Sequence, residues 1–343
     1  MPKVLIVATS PKSRGGITSV IKAHIQGGLC DRYNCKWIAT HIDTSKFRAF
    51  FYFLWGLISF LFFLPTASIV HIHLSEPSSA MRKLVFFTLA KVSGRKVVIH
   101  FHSFSPNTTV NGNKQWLYRY MFRKADRVIV LSKMWEEAVC KAFNINNVIV
   151  LYNPCVAVVS ENKYEKQKYI LYAGALIARK GYADILRAFA KIASLHKDWK
   201  LVFAGNGEIE DGKRISKELG LEEQCVFLGW INGEEKDKVF KESSILCLPS
   251  YAEGFPMAVL DAWAYGIPVI TTPVGGIPDI VIDGINGLLF NPGDEAELTQ
   301  KLQLLIENDG LRAKLSEESL HLASTMFNAN TIVNQLDKIY REI

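Results

Sequence analysis

Residues 243–276 read SSILCLPSYAEGFPMAVLDAWAYGIPVITTPVGG, and how this stretch folds decides how the rest of the chain is read. ILCLPS (245–250) and PVITT (268–272) are short, apolar and partly β-branched, as buried strands are. Between them, 255–265 has the length of a helix. Gly254 allows a tight turn before it, and Pro256 stands among the first helical N–H groups, where a missing donor costs nothing. Strand, helix and strand in this order make a unit whose two strands run parallel. Two acids interrupt its apolar character. Glu253 and Asp261 are eight residues apart, which on one regular helix is a separation of about 80° and places both on the same side.

The same alternation runs along the whole chain. VLIVA (4–8), SIVHIHL (68–74), KVVIHFH (96–102), RVIVLS (127–132) and VIVLYN (148–153) form a first series of strands. YILYAGA (169–175), KLVFAG (200–205), QCVFLG (224–229), ILCLPS and PVITT form a second. Strands separated by helical crossovers predict an α/β chain of two successive doubly wound, Rossmann-like parallel-sheet domains. The expected boundaries are 1–155 for the first domain and 169–327 for the second. The polar, unperiodic segment 156–168 is the linker. The last stretch, 328–343, carries Ile332, Val333, Leu336, Ile339 and Tyr340 at helical spacing and is expected to pack back on the first domain.

Composition narrows the class. With 343 residues, 49% of them hydrophobic and 21% charged, the chain is globular and long enough for two cores. Its six cysteines form no CxxC pair, and it opens on strand-like KVLIVATS instead of a basic, then apolar leader. A reduced, cytoplasmic setting is the expectation. Residues 1–150 hold 20 Lys and Arg against 6 Asp and Glu, while the remainder holds 20 against 27. Such asymmetry points to an anionic partner, a membrane surface or nucleic acid, or to a merely solvated basic face. FRAFFYFLWGLISFLFFLP (47–65) includes 16 uncharged residues, Ala49 to Leu64, where a bilayer span needs about 20. It is read as a helix that partly packs on its own domain and partly lies in the membrane interface through Phe50, Phe51, Tyr52, Phe53 and Trp55. A wholly buried core helix is the alternative.

Anion chemistry is indicated in three places. GALIARKGYADILRAF (174–189) puts Arg179 and Lys180 after a strand and before Gly181 and a helix, at the strand end where doubly wound sheets bind ligands. The amides of Phe255, Met257 and Ala258 at the next helix start offer a positive dipole end, making phosphate the expected meeting point. Taken alone, Arg179 and Lys180 would be a solvated pair. In SPKSRGGITS (10–19), Gly15 and Gly16 let backbone approach a diphosphate or an acceptor, but this is not the GxGxxG dinucleotide fingerprint. His71 and His73 are expected to be structural. No metal is expected, because histidines at i, i+2 spacing have no Cys or acid beside them to complete a set, and no D-x-D sequence occurs.

GALIARKG, AGNGEIE (204–210), LGWINGEE (228–235) and the block LPSYAEGFPMAVLDAWAYGIPVITTPVGGIPDIVIDGINGLLF (248–290) resemble the family 4 retaining glycosyltransferases of the GT-B fold. HIHLSEPSSAMRK (71–83), VIHFHS (98–103) and FRKADRVIVLS (122–132) are similar to the subgroup that builds bacterial capsule, exopolysaccharide or O-antigen units. The resemblance implies two domains facing across a cleft. It also implies transfer from a uridine or guanosine diphosphate sugar to a membrane-anchored saccharide such as one on polyprenyl diphosphate, without cofactor, metal or nucleic acid, at the inner face of the cell membrane.

The family's E-x7-E motif falls on Glu253, implied to accept hydroxyls of the transferred sugar, and on Asp261, implied to grip the ribose although one methylene shorter than the usual Glu. Ala175 stands where many relatives carry Arg, so Arg179 is implied to supply the guanidinium and Lys180 a point charge for the phosphates. Gly254, Phe255, Met257 and Ala258 would complete the donor site, with Gly205, Gly207, Trp230 and Ile231 near the base. His102 is implied to lie beside the sugar, with His100 competing for that role. The rival readings are a phosphorylase or nucleotide-sugar epimerase of the same fold, an NAD-dependent dehydrogenase that lacks its fingerprint, and an inactive scaffold at the membrane.

Overall fold

A computed structural model describes residues 3–13, 15–103, 105–155 and 165–343; residues 156–164 of the expected linker lie outside them. The chain divides into two units, 1–154 with 327–343, and 155–326.

The first unit holds strands β1 (Lys3–Ala8), β2 (Asn34–Ala39), β3 (Ile69–Leu74), β4 (Lys96–Phe101), β5 (Arg127–Val130) and β6 (Val148–Val150) in one sheet of order β2-β1-β3-β4-β5-β6. Every pairing is parallel. β2 has no counterpart among the apolar runs read from the sequence, because it is an edge strand whose NCKWIA buries one residue fully. Six helices precede or separate the later strands: α1 (Gly16–Gln26), α2 (Leu29–Arg32), α3 (Lys46–Phe63), α4 (Pro77–Val92), α5 (Gln115–Lys124) and α6 (Lys133–Phe143). Helices cover both faces of the sheet, which is why β1 and β3 to β5 are apolar almost without alternation. On one face Phe60, Phe86, Phe87, Phe101, Phe122 and Trp135 fill the core.

α3 is the crossover from β2 to β3. Phe60 is buried, but Phe47, Phe50, Phe51, Trp55, Ile58, Leu61 and Phe62 are exposed. Phe47–Thr66 is long and apolar enough to cross a membrane by length and composition, at a mean hydropathy of 1.8. Its single glycine has a packing cause: a Cβ on Gly56 would stand 2.3 Å from the Ala39 carbonyl oxygen, so the helix can lie against the end of β2 only without one.

The second unit repeats the plan with β7 (Tyr169–Ala173), β8 (Lys200–Ala204), β9 (Cys225–Gly229), β10 (Ile245–Leu248), β11 (Val269–Thr271) and β12 (Leu288–Leu289), ordered β12-β11-β10-β7-β8-β9. Its helices are α7 (Tyr182–Ala190), α8 (Ile209–Glu218), α9 (Gly233–Glu242), α10 (Met257–Ala264), α11 (Glu295–Glu307) and α12 (Asp309–Ser324). The chain builds outward from β7 through β8 and β9, then reverses to lay β10, β11 and β12 on the other side. That reversal opens a crevice between the loops after β7 and β10. In the first unit the reversal lies between β1 and β3.

The last helix, α13 (Ala329–Arg341), belongs to the first unit. Ile332, Val333, Leu336, Ile339 and Tyr340 pack with Val4, Ile6 and Ile21 on the sheet face opposite α3 to α6. Asp337 anchors it, accepting from the Tyr33 hydroxyl at 2.7 Å and lying 2.9 Å from the Arg341 guanidinium.

Candidate functional site

The loops after β7 and β10 touch through backbone. Gly181 has φ +69° and a Cβ there would meet the Pro249 carbonyl oxygen at 2.1 Å, so only glycine lets the Arg179-Lys180 turn sit against residues 249–253. The Lys180 ammonium pairs with Glu253 Oε1, with side chains 17% and 7% exposed. The Ser250 hydroxyl donates to the same oxygen at 2.7 Å. A lysine ammonium carries three donors, so one spent on Glu253 leaves two for a ligand. Arg179 takes a different direction: its guanidinium donates to the Ala252 carbonyl, and its own carbonyl accepts from Tyr251 N–H at 2.8 Å. The loop after β11 closes on the pair from below. Thr272 donates to the Ser250 carbonyl, Gly276 N–H to Gly254 at 2.9 Å, and a Cβ on Gly275 would lie 2.0 Å from the Glu253 carbonyl oxygen.

Two sequence expectations change here. The helix begins at Met257, not 255, with Pro256 as its cap residue at φ −78°, ψ 106°. A proline ring disfavours helical backbone at the residue before it, which keeps Phe255 out of the first turn. Glu253 therefore lies in the loop, and the 80° relation between two acids on one helix does not apply. The leading amides are those of Met257 and Ala258, with Val259 N–H already turned back to the Pro256 carbonyl at 3.2 Å. Asp261 sits mid-helix and is bound by Lys236 of α9 at 2.7 Å. The two acids thus have separate cationic partners.

Other expected donor residues are placed by packing. A Cβ on Gly205 would stand 1.7 Å from the Gly174 carbonyl oxygen, and Gly207, at φ +130°, would meet that of Leu176 at 2.3 Å. Both glycines let the loops after β7 and β8 lie together. On the loop after β9, Trp230 is 42% exposed and its N–H donates to Asn206 Oδ1 at 3.0 Å, whereas Ile231 is buried. Sequence reading missed Ser250, Thr272, Gly275 and Lys236. The serine three residues before the acid and the paired glycines after PVITT were visible, but nothing local ties them to Glu253.

In the first unit, Gly15 holds φ +125° and α1 starts at Gly16, directly after the β1 loop. His102 follows β4 and is partly exposed, while His100 is fully buried. Of the two, His102 is the one a ligand can reach. Its Nε2 lies 2.9 Å from His73 Nδ1, and burial, with the Lys83 charge second, pushes it down to about 3. Lys83 had no role in the sequence reading. It is fully buried, donates to the His73 carbonyl and to Ser79 Oγ, and burial lowers it to about 7.

Residues 157–321 match the family model described as glycosyl transferases group 1, and residues 32–155 that of glycosyltransferase family 4. An uncharacterized glycosyltransferase of Haemophilus influenzae is 30% identical over 261 residues, 74% of this chain and 72% of that one. The chain belongs to the group 1 glycosyltransferases. A second relative of this glycosyltransferase is a 41.2 kDa protein in the cps region of Klebsiella pneumoniae, 27% identical over 289 residues, 80% of this chain and 78% of that one. Among solved structures, Anabaena HepE in complex with UDP and glucose superposes with a TM-score of 0.81 at 18% identity, covering 100% of both chains. Two parallel six-stranded sheets in that likeness make the architecture GT-B.

Proposed function

We propose that this glycosyltransferase moves a sugar, with retention, from a uridine or guanosine diphosphate sugar to a lipid-linked saccharide, in the building of a bacterial surface polysaccharide. The observation that carries the reading is the pairing of half-buried Lys180 with buried Glu253 at the strand-order reversal of the second sheet, beside the leading amides of α10. A cps-region relative and a structural neighbour holding UDP and glucose support the pathway and the donor class.

In this reading Glu253, kept charged-paired and oriented by Lys180 and Ser250, accepts the sugar hydroxyls. The free donors of Lys180, the Arg179 guanidinium and the Met257 and Ala258 amides face the diphosphate. Pre-oriented donors of this kind contribute a few kcal/mol each as charge grows on the leaving group. The C–O bond to the diphosphate breaks on the face where the acceptor oxygen attacks, and a diphosphate oxygen takes the acceptor's proton, so no protein nucleophile and no metal is required. His102 holds the sugar in a reactive pose, and Gly15 and Gly16 at the start of α1 receive an acceptor phosphate. The exposed face of α3 and the basic first unit rest on the anionic, cytoplasmic surface of the cell membrane.

Transfer to lipid-linked acceptor in membranes, over a panel of UDP- and GDP-sugars, tests the reading. Glu253→Gln and Lys180→Met keep the length of each side chain and remove its charge without opening a cavity, so they are the informative variants. Each is expected to lose about 100-fold or more in kcat while retaining a cooperative thermal transition. Near-normal rates in both overturn it.

A further inference from the structure

Strand alternation turns His71, His73, His100 and His102 to one face of the first sheet, and β3 pairs with β4 so that His73 stands opposite His100. His102 lies one step beyond, diagonally across from His73, a spacing that long side chains bridge. Its backbone is tied to the end of β3, the N–H donating to the Leu74 carbonyl at 2.7 Å. Two neighbours then hold its ring. One face rests on His100, with centroids 4.3 Å apart and planes 24° from parallel. His73 meets it differently: those planes are 20° apart with centroids at 5.1 Å, yet His73 Nδ1 and His102 Nε2 are only 2.9 Å apart. Nitrogens so close between rings so far apart lie on the line joining the centroids, so the rings meet edge to edge and share a hydrogen bond in their plane.

The two contacts constrain different things. Stacking on His100 fixes the plane of the His102 ring, but a half turn about its last torsion keeps that plane while exchanging Nδ1 with Cδ2 and Nε2 with Cε1. A hydrogen bond is what tells the two orientations apart. With Nε2 spent on His73, Nδ1 is the polar atom that His102 keeps for a ligand; turned over, the ring would present a carbon in its place. Burial pushes His73 well below its ordinary value, as it does His102, so both rings are neutral. A neutral imidazole brings one donor and one acceptor. The bond therefore uses one proton, and the tautomer of His73 sets that of His102.

We propose that His73, read from the sequence as structural, is a positioning residue for sugar transfer: its Nδ1 fixes the orientation and tautomer of His102, and so places His102 Nδ1 against the transferred sugar. The inference rests on the reading of His102 as the residue beside that sugar. His73 is 1% exposed and cannot touch a ligand, so its effect on rate passes through His102. Lys83, which donates to the His73 carbonyl, anchors the backbone of the same residue.

The test compares His73→Leu with His73→Asn, alone and combined with His102→Ala, using the panel sugar that wild-type enzyme transfers fastest. Leucine puts a methyl where Nδ1 was; asparagine puts an amide there that can donate or accept. Both lose the far half of the ring, so their difference isolates the hydrogen bond. His73→Leu is expected to lower kcat about tenfold or more with the donor KM little changed, and His73→Asn to recover most of that loss. In the His102→Ala background His73→Leu is expected to cost nothing further, because its route of action is gone. Losses that multiply, or equal losses in the leucine and asparagine variants, overturn the proposal and make His73 a packing residue. A near-normal His102→Ala sinks the reading of His102 itself, whereas a slow His102→Ala beside a normal His73→Leu sinks this inference alone. If His73→Leu does not fold, nitrogen NMR of wild-type protein carrying isotope-labelled histidine decides: a coupling across the His73–His102 bond, missing in His102→Ala, is expected, and its absence overturns the proposal.

Discussion

Asp261 is held by Lys236 at 2.7 Å with its side chain only 13% exposed, so the ribose contact that the family resemblance implies would make it serve two partners. A hydrogen bond from ribose to a charged carboxylate contributes about 1.5–3 kcal/mol. Asp261→Ala is therefore expected to weaken nucleotide binding about tenfold or more, read by calorimetry, with Asp261→Glu restoring it. Unchanged affinity in Asp261→Ala would reduce the residue to a strut between α9 and α10. The two acids stood out in the sequence because carboxylates are rare in so apolar a stretch. Their partners did not: Lys180 is 73 residues from Glu253 and Lys236 is 25 from Asp261, and no local pattern links them.

α3 leaves β2 and enters β3, and both strands flank β1 in one continuous sheet. A helix that crossed a bilayer would carry β3 away from its neighbours, so lying along the surface is the reading compatible with the sheet. Lys3 and Lys36 stand over the Phe63 ring at 4.3 and 4.9 Å, placing cations at the end of the apolar face. Wild-type protein is expected to sediment with vesicles rich in phosphatidylglycerol and less with neutral vesicles. Burying a large apolar side chain contributes about 1.5–3 kcal/mol, so Trp55→Ser with Phe62→Ser should lower partitioning at least tenfold while circular dichroism stays unchanged. Undiminished sedimentation of that variant would remove α3 as the anchor. The aromatic run was legible in the sequence; which side of it meets Ala39 was not, since that depends on Gly56 meeting a strand that has no apolar signature of its own.

At the scale of the molecule, the chain leaves the first unit at 154 and returns to it at 327, so α13 closes that unit's sheet from a distance of some 300 residues, as the Tyr33–Asp337 bond records. That hydrogen bond, then Arg341 and Arg32, hold the Asp337 carboxyl below its ordinary range. A depressed carboxylate stabilises the fold above its unfolded value and loses that contribution as pH falls through the folded one. Asp337→Asn is expected to lower the thermal midpoint at pH 7 and to shrink the further fall on acidification below about pH 4, measured by calorimetry. Parallel pH profiles for variant and wild type would assign the acid sensitivity elsewhere.

Alternating apolar strands and helical crossovers, the basic first half and the acids of EGFPMAVLD were determined by the sequence itself, because burial, charge and period are local properties. Strand order was not, for a parallel sheet joins strands through crossovers whose direction leaves no mark in the residues they connect. Only the tertiary structure decided that the loops after β7 and β10 meet at a reversal and put Lys180 on Glu253. Only it set β3 beside β4 in the register that gathers His71, His73 and His100, since cross-strand neighbours are chosen by the packing of the whole sheet.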